Sequence, residues 1–151
     1  MTMPSERTRA LRWGGEYLIE LRNSDNMTEA QRHQIELILR HYPSCEEITA
    51  WAAMEANNKE ELIFGPWLAP ENNTVPSGMP LAPEFRQRAT TTPSDIACVL
   101  AKAGHFFRQL RSAPNLTNAQ TQQIPYVLRH FPENFEIASC AESYARFQAK
   151  A

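Results

Sequence analysis

Two short phrases set an arginine beside a histidine: Leu39-Arg40-His41-Tyr42-Pro43 and Leu128-Arg129-His130-Phe131-Pro132. Such a pair could bind an anion, or use the imidazole as acid and base near neutral pH. A helix end accounts for the same residues more economically. Cations in a last turn meet the negative end of the helix dipole and bond its free carbonyls, and the proline that follows stops the helix. On this preferred reading Arg40, His41, Arg129 and His130 are candidate contacts for a partner and not catalytic groups.

The remaining reactive side chains form no set. His33, His41, His105 and His130 show neither HxxxH nor HExxH spacing, so no metal site is expected. Cys45, Cys98 and Cys140 are an odd number without a CxxC pair, which reads as reduced thiols in a cytoplasmic protein. None has an evident base or oxyanion donor, and Cys140 reads as a small core residue. Gly14-Gly15 lacks the further glycines and lysine of a phosphate loop; Gly15, which recurs as Gly104, suits a close helix–helix approach. No catalytic residue, cofactor or metal is predicted. Trp67, between prolines in "FGPWLAP", is the remaining candidate: it could anchor a partner protein, or equally cover the chain's own surface.

The elements that carry these residues are repeated. Displaced by 89 residues, segment 4–52 aligns with 93–141 without a gap. Identical pairs run from Pro4/Pro93, Leu11/Leu100, Gly15/Gly104 and Leu21/Leu110, through Asn26/Asn115, Thr28/Thr117 and Gln31/Gln120, to Leu39-Arg40-His41 against Leu128-Arg129-His130 and Ala52/Ala141. A tandem duplication is the reading, each copy a three-helix unit. Ser5 is the expected cap of the first helix, along which Leu11, Gly14, Leu18 and Leu21 recur at helical spacing, matched by Leu100, Ala103, Phe107 and Leu110. Thr28 with Gln31 forms a capping box for the second helix, as Thr117 does with Gln120. Ile35, Ile38, Leu39 and Tyr42 form its apolar face. Ser44 with Glu47 opens the third helix, lined by Ile48, Trp51 and Ala52. Pro125, opposite Glu36, predicts a kink or a detached first turn in the second copy.

The sequence therefore predicts an all-α protein: a first three-helix unit over 1–60, a proline-rich linker over 61–92 and a second unit over 93–151. Small units gain stability by packing together, so a shared interface of approximate two-fold symmetry is expected. A net charge of −2 in 151 residues does not suggest nucleic-acid binding by a strongly basic face, and leaves room for local patches. No apolar run reaches the ~18 residues of a membrane span, and the opening residues lack the apolar stretch of a signal peptide.

The phrases "MPSERTRALRWGGEYLIEL", "LRHYPSCEEI" and "FGPWLAPE" together resemble a family of small proteobacterial proteins that open on P-x-ERTRA and carry an LRHYP-like helix end. The resemblance covers about residues 3–71; the second copy reads "SDIACVL" where the first has its ERTRA phrase. It carries over no activity or catalytic residue. The placement of such genes in accessory or mobile regions implies interaction with host machinery.

Without a catalytic set, with two copies of one unit and with an aromatic–proline segment, the chain reads as a non-enzymatic adaptor or inhibitor. Its expected partner is another protein, and the resemblance points to a host defence or regulatory complex. A homo-oligomer stays open, and neither membrane nor nucleic acid is favoured. The alternative is a helix-turn-helix-like DNA-binding regulator, although "SCEEITAWAAMEA" would bring carboxylates to the phosphates.

Overall fold

Helical periodicity in the chain becomes six α-helices in the computed structural model, which describes residues 3–57, 66–71 and 91–150. They are α1 Pro4–Arg22, α2 Glu29–Leu39, α3 Cys45–Asn57, α4 Pro93–Leu110, α5 Asn118–Leu128 and α6 Ile137–Lys150, with a 3-10 turn at Asn134–Glu136 leading into α6. No strand occurs among the described residues. Of the expected linker, only residues 66–71 and 91–92 are described; the rest lies outside the described residues.

Local chemistry sets the helix starts. Thr28 Oγ1 accepts from the Gln31 amide while Gln31 Oε1 accepts from the Thr28 amide, and Thr117 and Gln120 repeat both bonds. The expected Ser5 cap is displaced. Pro4 supplies the fixed φ suited to the first helical position, so Met3 becomes the cap residue and the Glu6 carboxylate reaches back to the Met3 amide at 2.8 Å. The same shift makes Thr92 the cap of α4, boxed with Asp95. α5 runs unbroken through Pro125, so no first turn is detached. Pro125 is exposed, which leaves the carbonyl deprived of its partner on the solvent side.

The apolar faces join in one core. Leu11, Leu18 and Leu21 of α1, Ile35 of α2, Trp51 of α3, Leu100 and Phe107 of α4, and Ile124 of α5 are buried in a single cluster. α1 packs on α2, α3 and α5, while α4 packs on α2, α5 and α6, and α3 lies against α6. Each long first helix thus touches the second helix of both halves.

Polar contacts across this core recur at the 89-residue displacement. Asn26 Nδ2 donates to the Asn115 carbonyl at 2.7 Å, and Asn115 Nδ2 donates to the Asn26 carbonyl at 2.8 Å. Asn26 also donates to Gln120 Oε1, and Asn115 to Gln31 Oε1, both at 2.7 Å. The capping glutamines therefore serve twice, holding their own helix start and the opposite loop.

Gly15 shows why a helix interior tolerates glycine. A Cβ there would lie 2.9 Å from the ring of Tyr42, whose hydroxyl is fixed by donating to the Leu11 carbonyl at 2.6 Å. Gly104, its counterpart, has ordinary room: the nearest atoms, from the Arg108 guanidinium, would be 3.5 Å away. Gly15→Ala is expected to destabilise by about 1–3 kcal/mol through overpacking. Gly104→Ala should be neutral or stabilise by up to about 1 kcal/mol through helix propensity. Thermal unfolding of the two variants side by side checks the contrast; equal effects would contradict this account of the packing.

Candidate functional site

Both Arg-His phrases lie at helix ends. α2 stops at Leu39 and α5 at Leu128, with the Arg40 amide bonding the Glu36 carbonyl at 3.1 Å and the Arg129 amide bonding the Pro125 carbonyl at 3.0 Å. The aromatic that follows is buried: Tyr42 covers Gly15, and Phe131 lies near Gly14 and Gly104. The histidines turn toward the opposite half. His130 Nε2 is 2.9 Å from Glu6 Oε2 at the start of α1. His41 Nδ1 is 2.9 Å from Thr91 Oγ1, just before α4. The Glu6 carboxyl is held below the ordinary carboxylate range by the Met3 amide first and by His130, Arg9 and Arg129 in smaller measure. Asp95 is held low by the amide and hydroxyl of Thr92, with His41 contributing less. The four residues are thus split between two helix starts, and neither cavity described below is lined by any of them.

Trp67 lies against the chain's own α1 and α3. It is only 6% exposed, its ring stacks on Trp51 with centroids 5.7 Å apart, and the Arg7 guanidinium lies 5.5 Å from its centroid. Residues 66–71 form a strap clipped along α1. Arg7 Nη1 donates to the Trp67 carbonyl at 3.2 Å, Thr8 Oγ1 donates to the Ala69 carbonyl at 2.6 Å, and Arg12 makes a paired contact with Glu71 at 2.7 and 2.9 Å. The ERTRA and FGPWLAPE phrases therefore recognise each other within the chain. A proline-flanked tryptophan reads as linker because its cover comes from α1 and α3, far away in sequence.

Beneath Trp67, α3 and α6 enclose a polar group that sequence reasoning missed. Trp51 Nε1 donates to Ser143 Oγ at 2.7 Å, Ser143 Oγ bonds Glu55 Oε1, and Arg146 Nη2 donates to that same oxygen at 2.9 Å. Glu55 is fully buried. Nothing in the local pattern marks this set, because its bonded partners lie 88 to 92 residues apart on helices that read as acidic or mixed.

Neither Cys45 nor Cys140 offers an activated thiolate. Burial, and next Glu16, push the Cys45 thiol above its ordinary value, and burial pushes Cys140 up further. Among the described residues, no group of three or more His, Cys, Asp or Glu is placed to hold a metal ion.

Two seams between long and short helices complete the surface, and they differ. Where α1 meets α5, Trp13 lies flat on Tyr126, with centroids 5.9 Å apart and planes within 9°. Gln123 Nε2 also reaches Glu20 Oε2 there at 3.4 Å. Where α2 meets α4, the positions equivalent to Trp13 and Tyr126 are Lys102 and Leu37. No aromatic pair spans this seam among the described residues, and a cavity of about 280 Å³ opens instead. Ile38 and Phe106 form its buried floor, Leu37 stands 41% exposed at its wall, and Gln34, Lys102, His105 and Gln109 rim it. A second cavity, about 220 Å³, lies over Gly15 and Tyr42 between Arg12, Arg22 and Cys45. The α2/α4 groove is the candidate site, since it is the seam that the described residues leave unplugged. Lys102 and Leu37 escaped notice in the sequence because they differ from the residues 89 positions away, while attention fell on the positions that match.

No family model, curated protein or solved structure matches the chain. No helix among the described residues is long and apolar enough to cross a membrane.

Proposed function

We propose that this chain is a non-enzymatic protein-binding module, made of two duplicated three-helix units folded around one another and joined by the proline-rich segment. Contacts that recur at the 89-residue displacement support the duplication: the Asn26/Asn115 exchange, the two Asn–Gln pairs and the two histidines at opposite helix starts. The observation that carries the functional reading is the difference between the seams. One is closed by the Trp13–Tyr126 stack, and the other is a groove with a buried apolar floor, the exposed Leu37 in its wall and a polar rim. An apolar recess with a few polar groups is the usual form of a recognition site.

The DNA-regulator reading stands second for a local reason. The exposed positions of α3 are Cys45, Glu46, Thr49 and Asn57, and those of α6 with described side chains are Ala138, Ser139, Glu142, Ala145 and Ala149; Arg146, partly exposed, is engaged by Glu55, so the described cation of these helices is not free for a groove. The duplicated helical unit and the aromatic–proline segment favour an adaptor or inhibitor role, and the resemblance points to a defence or regulatory complex as the target to look for first.

Affinity capture from the native host, with cross-linking and mass spectrometry, tests the module. Wild type should retain a partner cross-linked near Lys102, and the double variant L37Y/K102W, which copies the closed seam, should not. Retention by both, or duplex DNA binding that weakens steeply with salt, would replace this reading with another surface or with the regulator.

A further inference from the structure

The two seams act as a built-in comparison, because the closed one shows what shape and charge the open one lacks. From it, and resting on the binding-module reading above, we infer that the α2/α4 groove takes a single aromatic side chain from an acidic peptide segment of a partner protein.

The Trp13–Tyr126 pair shows the missing shape. Two flat rings fill the closed seam, and the chain supplies both; the positions there equivalent to Phe106 and Ile38 are the buried Tyr17 and Val127. Over Phe106 and Ile38 the open seam has a flexible lysine stem and an exposed leucine instead. About 280 Å³ of space lies between them. An apolar cavity of roughly 150 Å³ is known to accept a benzene, so one indole or phenol ring is a suitable fill. Aromatic side chains are also the residues that partners most often use as buried anchors.

The rims differ in charge. The closed seam carries Glu20, which meets Gln123, and the position equivalent to it on the open seam is Gln109; His105 stands where α1 has Glu16, which pairs with Arg12, and Lys102 stands where α1 has Trp13. The open rim thus has an amide in place of a carboxylate, and adds an ammonium and an imidazole. Among the described residues neither Lys102 nor His105 has an ion-pair partner. Carboxylates flanking the incoming ring would meet Lys102 and the amides of Gln34 and Gln109, whereas a basic peptide would be repelled.

The test uses the full chain and a fluorescein-labelled short peptide with one tryptophan between glutamates. Saturable anisotropy is expected, with amide NMR shifts confined to α2 and α4. Replacing the peptide tryptophan by alanine should weaken binding at least tenfold, as should L37Y/K102W in the protein, whose circular dichroism should match wild type. K102E, a surface change that leaves the floor intact, should weaken the glutamate peptide at least tenfold and favour a lysine-flanked one. Equal binding of the tryptophan and alanine peptides, or of the glutamate and lysine peptides, would overturn the inference. So would dimerisation of wild type, read by sedimentation equilibrium and lost in L37Y/K102W, since the occupant would then be a second copy. A displayed random-peptide library separates the two levels. Enrichment on wild type over L37Y/K102W of sequences lacking an aromatic–acid pair would overturn this inference and leave the binding module standing. No differential enrichment would count against both.

Discussion

Trp51→Ala is expected to cost about 3–5 kcal/mol, the range for truncating a buried tryptophan. The magnitude follows from what the ring touches. Trp51 has no exposed surface and stacks on Trp67 and Phe147 at 5.7 and 6.3 Å, with Tyr144 edge-on at 5.2 Å. Its Nε1–H also satisfies Ser143. Truncation opens a cavity between α3, α6 and the strap, and removes the donor that orders Ser143 above Glu55. Against a typical domain stability of about 5–15 kcal/mol, that loss removes a large fraction. Trp13→Ala provides the control. Trp13 is half-buried and stacks on Tyr126, which is 60% exposed, so about 0.5–1.5 kcal/mol is the expected cost. Urea unfolding of both variants decides the matter. A loss below about 1 kcal/mol for Trp51→Ala would mean that the aromatic group between α3 and α6 contributes no more than a surface stack.

The helices were legible because their signals are local. Apolar residues at helical spacing, the two Thr–Gln boxes and the stops before Pro43 and Pro132 act over a few residues, and the structure buries Leu11, Leu18, Ile35, Ile48 and Trp51 as that spacing requires. Other outcomes depend on details that apolar spacing does not carry. Ser5 lost the cap to the fixed geometry of Pro4, which is a local miss of one or two residues. Pro125 did not detach a turn, because α5 is held by α1 and α4 on its buried side while the proline faces solvent. Trp67 reads as linker until Arg7, Thr8 and Arg12 are seen gripping the backbone and the Glu71 carboxylate of its strap.

The candidate site was hidden for a related reason. Its elements were visible, but a groove is a relation between α2 and α4, and the substitutions that open it, Leu37 for Tyr126 and Lys102 for Trp13, look unremarkable one at a time. They acquire meaning only when the reciprocal packing of α1 on α5 and α4 on α2 sets one seam beside the other as its control. The Arg-His phrases, by contrast, were conspicuous and turned out to be tied to helix starts on the opposite half.

Arg146→Met is expected to destabilise by about 3–5 kcal/mol, the usual cost of removing one member of a buried ion pair. Glu55 has no exposed surface, and Arg146, 38% exposed, is the cation that reaches it. Without Arg146 the carboxylate would keep the Ser143 hydroxyl as its described donor, in a site walled by Trp51 and Tyr144. The pair itself is a different matter, because burying both charges costs about as much as their attraction returns. The double variant E55M/R146M should therefore recover most of the loss, or exceed wild type. Ser143 would lose its carboxylate acceptor but can turn its hydroxyl to a carbonyl one turn earlier in α6 while still accepting from Trp51. Glu55→Gln, which keeps an acceptor for both donors and drops the charge, should fall between wild type and Arg146→Met. Urea unfolding of the three variants measures the order. If the double variant were as unstable as Arg146→Met, the pair would be a net source of stability, and its place between α3 and α6 could not be ascribed to fixing how the two halves register.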